Sequence, residues 1–204
     1  YLGLEVSKSN LITIHLGNGA SMAAIKNGKS IDTSLGMTPL SGLVMGTRVG
    51  DIDPGVIFYL EEERGYSIDK VKNLLNKESG MKGLTGDNDL RSITEKASSG
   101  NQEAQLALDI YCYRIKKYIG AYLAAIGPIS AIVFTAGVGE NSAEVRGLVC
   151  ENLGHLGIEL SNEQNESRNG EIREINTSSS LIKILVTPTN EELEIANQTY
   201  QLLN

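Results

Sequence analysis

The sequence predicts an α/β fold in which a mixed sheet, fronted by an antiparallel glycine-looped hairpin, is flanked by helices. Three observations carry this. Short β-prone runs separated by glycine turns fill the first part of the chain, Leu11 to His15, Ala20 to Ile25 and Lys29 to Thr33. Segments with helical spacing of apolar residues occupy the middle, the longest from Asn101 to about Ile126. Two late apolar runs, Ala131 to Ala136 and Ile182 to Val186, each lead through a polar turn into a helical segment, the pattern of buried strands in layered α/β domains.

Each element has a local reason. Gly17-Asn-Gly19 breaks the first run, and Asn27-Gly28 reads as a tight hairpin turn because both residues tolerate a positive φ. Residues 36–50 are irregular and rich in glycine. Asp53-Pro54 supplies an N-cap and a first-turn proline for a helix to about Glu63, which Gly65 closes. Ser67 caps a second helix through about Lys77, and Gly80 to Gly86 reads as a glycine-spaced loop. A short helix follows from Asp89 to Ser98. In the long helix, Leu106, Ile110, Tyr113, Ile115, Ile119 and Leu123 trace the apolar stripe, and Gly127-Pro128 ends it. After the strand at Ala131 to Ala136, Gly137 to Asn141 reads as a tight loop and Ser142 as the start of a helix. A polar stretch, Ser161 to Arg173, precedes the last strand, and a helix runs from Glu191 to the end. Neither an internal repeat nor a linker divides the chain, so residues 1–204 read as a single domain.

Bulk properties narrow the function classes. Of 204 residues, 41% are hydrophobic and 21% charged, as in soluble globular proteins, and no run approaches the roughly 18 apolar residues of a membrane span. The net charge of -7 argues against non-specific binding to nucleic acid. Cys112 and Cys150 match no metal-ligand spacing and read as reduced packing cysteines, which implies a cytoplasmic location. The chain opens at Tyr1 rather than Met, and the expectation is a fragment of a longer protein.

Four short segments carry candidate chemistry. In His15-Leu-Gly-Asn-Gly-Ala-Ser21 the glycines let the backbone present successive N–H groups to an anion, although an ordinary β-turn accounts for the same residues. Met45-Gly-Thr-Arg-Val-Gly-Asp-Ile-Asp-Pro54 holds Arg48 among glycines, where a fixed cation can approach a phosphoryl group. Asp51 and Asp53 have the look of paired carboxylates, but Asp53 before Pro54 fits a helix cap better. Phe134-Thr-Ala-Gly-Val-Gly-Glu-Asn-Ser142 imitates a dinucleotide fingerprint whose third glycine is replaced by Ser142. Its glycines suit close approach to a nucleobase or sugar, or simply a strand-to-helix turn. In Thr189-Asn-Glu-Glu-Leu193, the carboxylates either complement a helix dipole or hold hydrated Mg²⁺ beside a nucleotide.

In this order, the first three segments and Pro188-Thr-Asn-Glu-Glu192 resemble the acetate kinase family, over about Leu11 to Leu203. The resemblance implies an actin-like ATPase (ribonuclease H-like) domain, the carboxy-terminal nucleotide-binding half of a two-domain enzyme whose amino-terminal domain is absent. It implies reversible transfer of the γ-phosphoryl group of ATP to acetate, giving acetyl phosphate and ADP, with Mg²⁺ as cofactor. His15, Leu16, Gly17, Asn18 and Gly19 would then form the phosphate turn, and Gly137, Val138, Gly139, Glu140 and Asn141 would wall the adenosine pocket. Asp89, Leu90 and Arg91 would face the adenosine, behind a loop one residue shorter than the family pattern. Arg48 would stabilise the transition state and Glu191 would organise the metal. The resemblance also implies a homodimer formed through this half. A propionate or butyrate kinase, and a non-catalytic actin-like nucleotide-binding module, stand beside this reading. The acetate-binding arginine and the catalytic aspartate match no residue here, so the isolated chain is expected to be inactive.

Overall fold

Ile12, Ile14 and Leu16 are fully buried while Leu11, Thr13 and His15 between them are only partly so, because side chains of a strand alternate between faces. This strand, β1 (Leu11–Leu16), pairs antiparallel with β2 (Ala20–Lys26), which pairs antiparallel with the exposed edge strand β3 (Lys29–Thr33). Asn27 and Gly28 take φ of 53° and 72° at the turn between them, as the hairpin reading requires. On its other side β1 pairs in parallel with β4 (Ala131–Thr135), and β4 pairs in parallel with β6 (Lys183–Val186). A two-residue strand, β5 (Arg173–Glu174), completes the order β3-β2-β1-β4-β6-β5. The structure, a computed structural model, describes residues 1–167 and 172–203. The rest of the polar stretch from Ser161 to Arg173, residues 168–171, lies outside them.

The helices form where their caps predict. Asp53 Oδ1 accepts the Gly55 N–H at 2.8 Å, and Pro54 is already helical, opening α1 (Gly55–Glu62). Ser67 caps α2 (Ile68–Lys77), and Asn101 caps the long helix, whose label α5 (Gln102–Ile126) counts the two short helices before it. Those are α3 (Gly80–Thr85) and α4 (Leu90–Ser98). Beyond β4 lie α6 (Ala136–Asn141), α7 (Ala143–Cys150), α8 (Asn162–Glu166) and α9 (Glu191–Leu203).

Three expectations are corrected. Residues 80–85 are helical despite their glycines, because the Met81 and Lys82 N–H groups bond the carbonyls of Met45 and Gly46 and Met81 is fully buried. Tertiary partners override low propensity there. The strand ends at Thr135, and residues 136–141 form a short helix rather than a loop, since other segments satisfy its end groups as described below. The inner face of α5 also differs from the traced stripe: Leu106 and Tyr113 are 57% and 64% exposed, while Ala104, Ala107, Leu108, Tyr111 and Cys112 are buried. Cys112 and Cys150 are free and buried, and burial pushes both thiols up to about 12, which suppresses the reactive thiolate.

Candidate functional site

Three connections leave the carboxyl ends of the parallel strands β1, β4 and β6 side by side, the usual position of ligand sites in such sheets. After β1, the Gly17 N–H donates to Gly19 O at 2.9 Å and closes a tight turn around Asn18. Leu16 is fully buried, so only its backbone faces the turn. After β4 comes α6, and a Cβ built on Gly17 lies 3.9 Å from the Cβ of Ala136, so the two connections touch. After β6 comes the segment 187–190, which leads into α9. His15 Nε2 at the end of β1 stands 3.9 Å from Glu191 Oε1 at the start of α9.

A cavity of about 850 Å³ opens between the first two connections, a size that holds a nucleotide-sized ligand. Gly17 and Asn18 line one end; Gly137, Val138 and Asn141 form a wall; Asn88, Asp89, Leu90 and Arg91 face them. With Gly46 of the Arg48 segment also on its lining, the structure gathers residues of four of the segments singled out in the sequence. Met81, Asn88, Thr94 and Tyr111 also line it and were not singled out; only their juxtaposition in the fold reveals them. Asp89 accepts the Arg91 N–H through Oδ1 as the cap of α4 and holds the Arg91 guanidinium at 3.1 and 2.8 Å. Hydrogen bonds from the Arg91 side chain and backbone lower the Asp89 pKa, and Asp89 raises that of Arg91. The pair is therefore ionised, exposed and set at the cavity mouth.

Arg48 lies beside the glycine turn: a Cβ built on Gly19 would sit 3.5 Å from Arg48 Nη1, which also donates to Pro39 O at 3.4 Å. The loop that carries it is fixed at both ends. Gly46 N–H donates to Asn18 O at 3.1 Å, and Met45 N–H donates to Arg48 O at 3.1 Å. Asp51 and Asp53 are not a metal site. Asp51 accepts from Gly42 N–H and Tyr118 Oη, each at 2.7 Å, and pairs with Arg114 at 3.2 Å, while Asp53 caps α1. Burial and the bond to Asp51 push the Tyr118 phenol up to about 12.

The residues at the far end of α6 divide their work. Gly139 packs against Phe134 and does not line the cavity. Glu140 turns to the segment after β6, where its Oε1 accepts the Thr189 N–H at 2.9 Å. Arg146 on α7, only 1% exposed, donates to the carbonyls of Gly139 and Glu140 and to both oxygens of Asn165. Arg173 Nη2 adds a second bond to Glu140 O at 2.9 Å. These donors satisfy the last carbonyls of α6, which is why a glycine-rich run holds a helical turn. The sequence signal for Arg146 was its spacing with Val149 and Cys150, which places it on the buried face of α7.

Among the described residues, no group of three or more His, Cys, Asp or Glu is arranged to hold a metal by protein ligands alone. The donor set still fits Mg²⁺, which keeps several waters and binds one or two carboxylates plus substrate phosphates. Glu191 is an exposed carboxylate next to the end of β1. No described helix is long and apolar enough to cross a membrane.

Comparison with solved structures gives the fold. The crystal structure of Porphyromonas gingivalis acetate kinase matches the whole chain over 51% of its own length, with a TM-score of 0.94 and 48% identity. A propionate kinase from Francisella tularensis matches 92% of the chain, with a TM-score of 0.87 and 44% identity, over 48% of its length. The architecture is the actin-like ATPase fold. Among relatives, the acetate kinase of Flavobacterium johnsoniae is 59% identical over 195 residues, which is 96% of this chain and 50% of that protein. The acetate kinase of Syntrophobacter fumaroxidans is 52% identical over 203 residues, which is all of this chain and 49% of that protein. The chain spans about half the length of the relatives it matches. The acetokinase family model matches residues 1–197, and the chain belongs to that family.

Proposed function

We propose that this chain is the ATP-binding, carboxy-terminal half of an acetate kinase, which transfers the γ-phosphoryl group of ATP to acetate, giving acetyl phosphate and ADP. The observation that carries the reading is the sharing of one cavity by Gly17 and Asn18, Asp89 to Arg91, and Gly137, Val138 and Asn141. Family membership supplies the chemistry that such a cavity serves. The turn from His15 to Gly19 cradles the phosphates with its backbone N–H groups, while α6 and the 89–91 segment enclose the adenosine. Arg48 steadies charge on the equatorial oxygens during in-line transfer, where an enzyme contributes mainly position and electrostatics. Glu191 would hold Mg²⁺, which would supply charge neutralisation at the phosphates.

The acceptor side belongs to a second half, which brings acetate, its arginine and the catalytic aspartate. The location is cytoplasmic, in keeping with two buried reduced thiols. The outward apolar side chains of α5, Leu106 and Tyr113, supply a surface for a homodimer. A propionate kinase is the second reading, favoured by the 44% identity to the Francisella tularensis structure. Titration calorimetry of the 204-residue chain with Mg-ADP, beside a hydroxamate assay with ATP and acetate, tests the division of labour. The expected result is ADP binding without acyl phosphate. Turnover by these residues alone rejects the half-enzyme reading, and absence of ADP binding rejects the nucleotide site.

A further inference from the structure

Thr189 is fastened to both ends of α6. Its Oγ1 accepts the Ala136 N–H at 3.0 Å and shares a hydrogen bond of 2.5 Å with Thr135 Oγ1, while its own N–H donates to Glu140 Oε1 at 2.9 Å. Ala136 holds a φ of 66°, a left-handed conformation that a residue with a Cβ keeps only when its surroundings over-determine it. The Thr189 hydroxyl is one of the groups that fix it, bonding its N–H directly. On either side of Thr189 the chain is equally constrained. The Thr187 N–H donates to Phe134 O at 2.9 Å, and Asn190 Oδ1 caps α9 by accepting the Leu193 N–H at 3.0 Å. Glu191 is the next residue.

We propose that Thr189 is a positioning residue: through its hydroxyl and N–H it makes α6, which walls the nucleotide cavity, and the start of α9, which carries Glu191, a single rigid unit. Glu191 cannot be placed by its own helix, because α9 buries no residue. Its position is inherited from α6 through Thr189, with Glu140 as the receiving carboxylate rather than a nucleotide contact. The distance between the nucleotide seat and the metal-organising carboxylate is thereby set by these side-chain hydrogen bonds together with the Thr187–Phe134 bond at the end of the sheet. This inference rests on the ATP and Mg²⁺ reading above.

Calorimetry on the protein with both halves present tests it, using ADP with Mg²⁺ and ADP with a chelator. Thr189→Val keeps the side-chain shape and removes the hydroxyl; Thr189→Ser keeps the hydroxyl. The expected result for Thr189→Val is an ADP affinity without metal close to wild type, and a gain in affinity from Mg²⁺ reduced about fivefold or more, since both hydrogen bonds of the hydroxyl are lost. Thr189→Ser restores the gain. A Thr189→Val protein with the full Mg²⁺ gain overturns the inference, as does an equal loss of affinity with and without metal, which marks a general distortion of α6. A thermal melt of each variant separates misfolding from both, and a variant that melts far below wild type also overturns it, since the contact is then structural. Wild-type protein that fails to bind ADP removes the reading beneath, while wild-type binding with an unaffected variant removes this inference alone.

Discussion

Arg48 owes its place to backbone bonds made by its neighbours. The carbonyls of Met45, Gly46 and Thr47 accept from Met81, Lys82 and Ser79, and Gly46 has no room for a Cβ because Asn18 Oδ1 occupies that space. A cation held this way loses little entropy on meeting a phosphoryl group. In the protein with both halves, Arg48→Ala is expected to lower kcat by roughly a thousandfold, in the range found for arginine fingers, and to change the nucleotide KM by only a few-fold. Arg48→Lys recovers a minor part, since a point charge does not reproduce the planar fork. Steady-state hydroxamate assays measure both constants, and an unchanged kcat removes the assigned role. The glycine spacing around Arg48 is what singled it out in the sequence. Arg146 was not singled out there: its spacing with Val149 and Cys150 marks the buried face of α7, but its role as a donor to Gly139, Glu140 and Asn165 emerges only when the fold brings those partners to it.

At the scale of elements, the loop between α3 and α4 shows how a short connection aims a helix at the cavity. Asp87 accepts the Asp89 N–H through Oδ1 at 3.0 Å and pairs with Lys96 through Oδ2 at 3.0 Å, tying the entry of α4 to its last turn. The Asp89 backbone bond, then Lys96 and Ser92, hold the Asp87 carboxyl far below its ordinary value of 3.8. A carboxylate whose pKa is depressed by folding stabilises the fold fully above its unfolded value and loses that contribution as pH falls through the folded one. The melting-temperature advantage of wild type over Asp87→Asn is therefore expected to be constant above about pH 5 and to shrink progressively below it. Because the pair is exposed, added salt reduces its Lys96 part as well. Melting curves over a pH series check this, and an advantage independent of pH contradicts it. Helices announced by a cap, such as those after Asp53, Ser67 and Asn101, were legible because the signal is local. The helices α3 and α6 were not, since glycine-rich turns take helical form only where Met45, Thr189 and Arg146 supply partners from far along the chain.

At the scale of the whole molecule, the parallel arrangement of β1, β4 and β6 decides where the site lies, and it is set by packing between strands more than 50 residues apart rather than by any local pattern. The sequence supplied the strands and their apolar faces; the adjacency of their carboxyl ends required the fold. The converse case is α9, which was legible as a helix and yet makes no core. None of its 13 residues is buried, and Leu193, Ile195, Tyr200, Leu202 and Leu203 are all more than half exposed. Isolated helices of about this length are marginal in water, because nucleation is costly and tertiary packing normally provides the balance. Among the described residues, its first turn is anchored through Thr189 and the Asn190 cap. In the 204-residue chain, the amides of 194–203 are therefore expected to exchange with solvent with little protection, while those of α5 exchange only on global unfolding. Deletion of 194–204 is expected to shift the melting temperature by less than about 2 °C, under about 1 kcal/mol for a domain of this size, and to leave metal-free ADP affinity unchanged. Hydrogen exchange and calorimetry measure these quantities directly. A fall of ten degrees or more on deletion, or strong protection along 194–203, instead means that α9 packs on this domain and contributes to its stability.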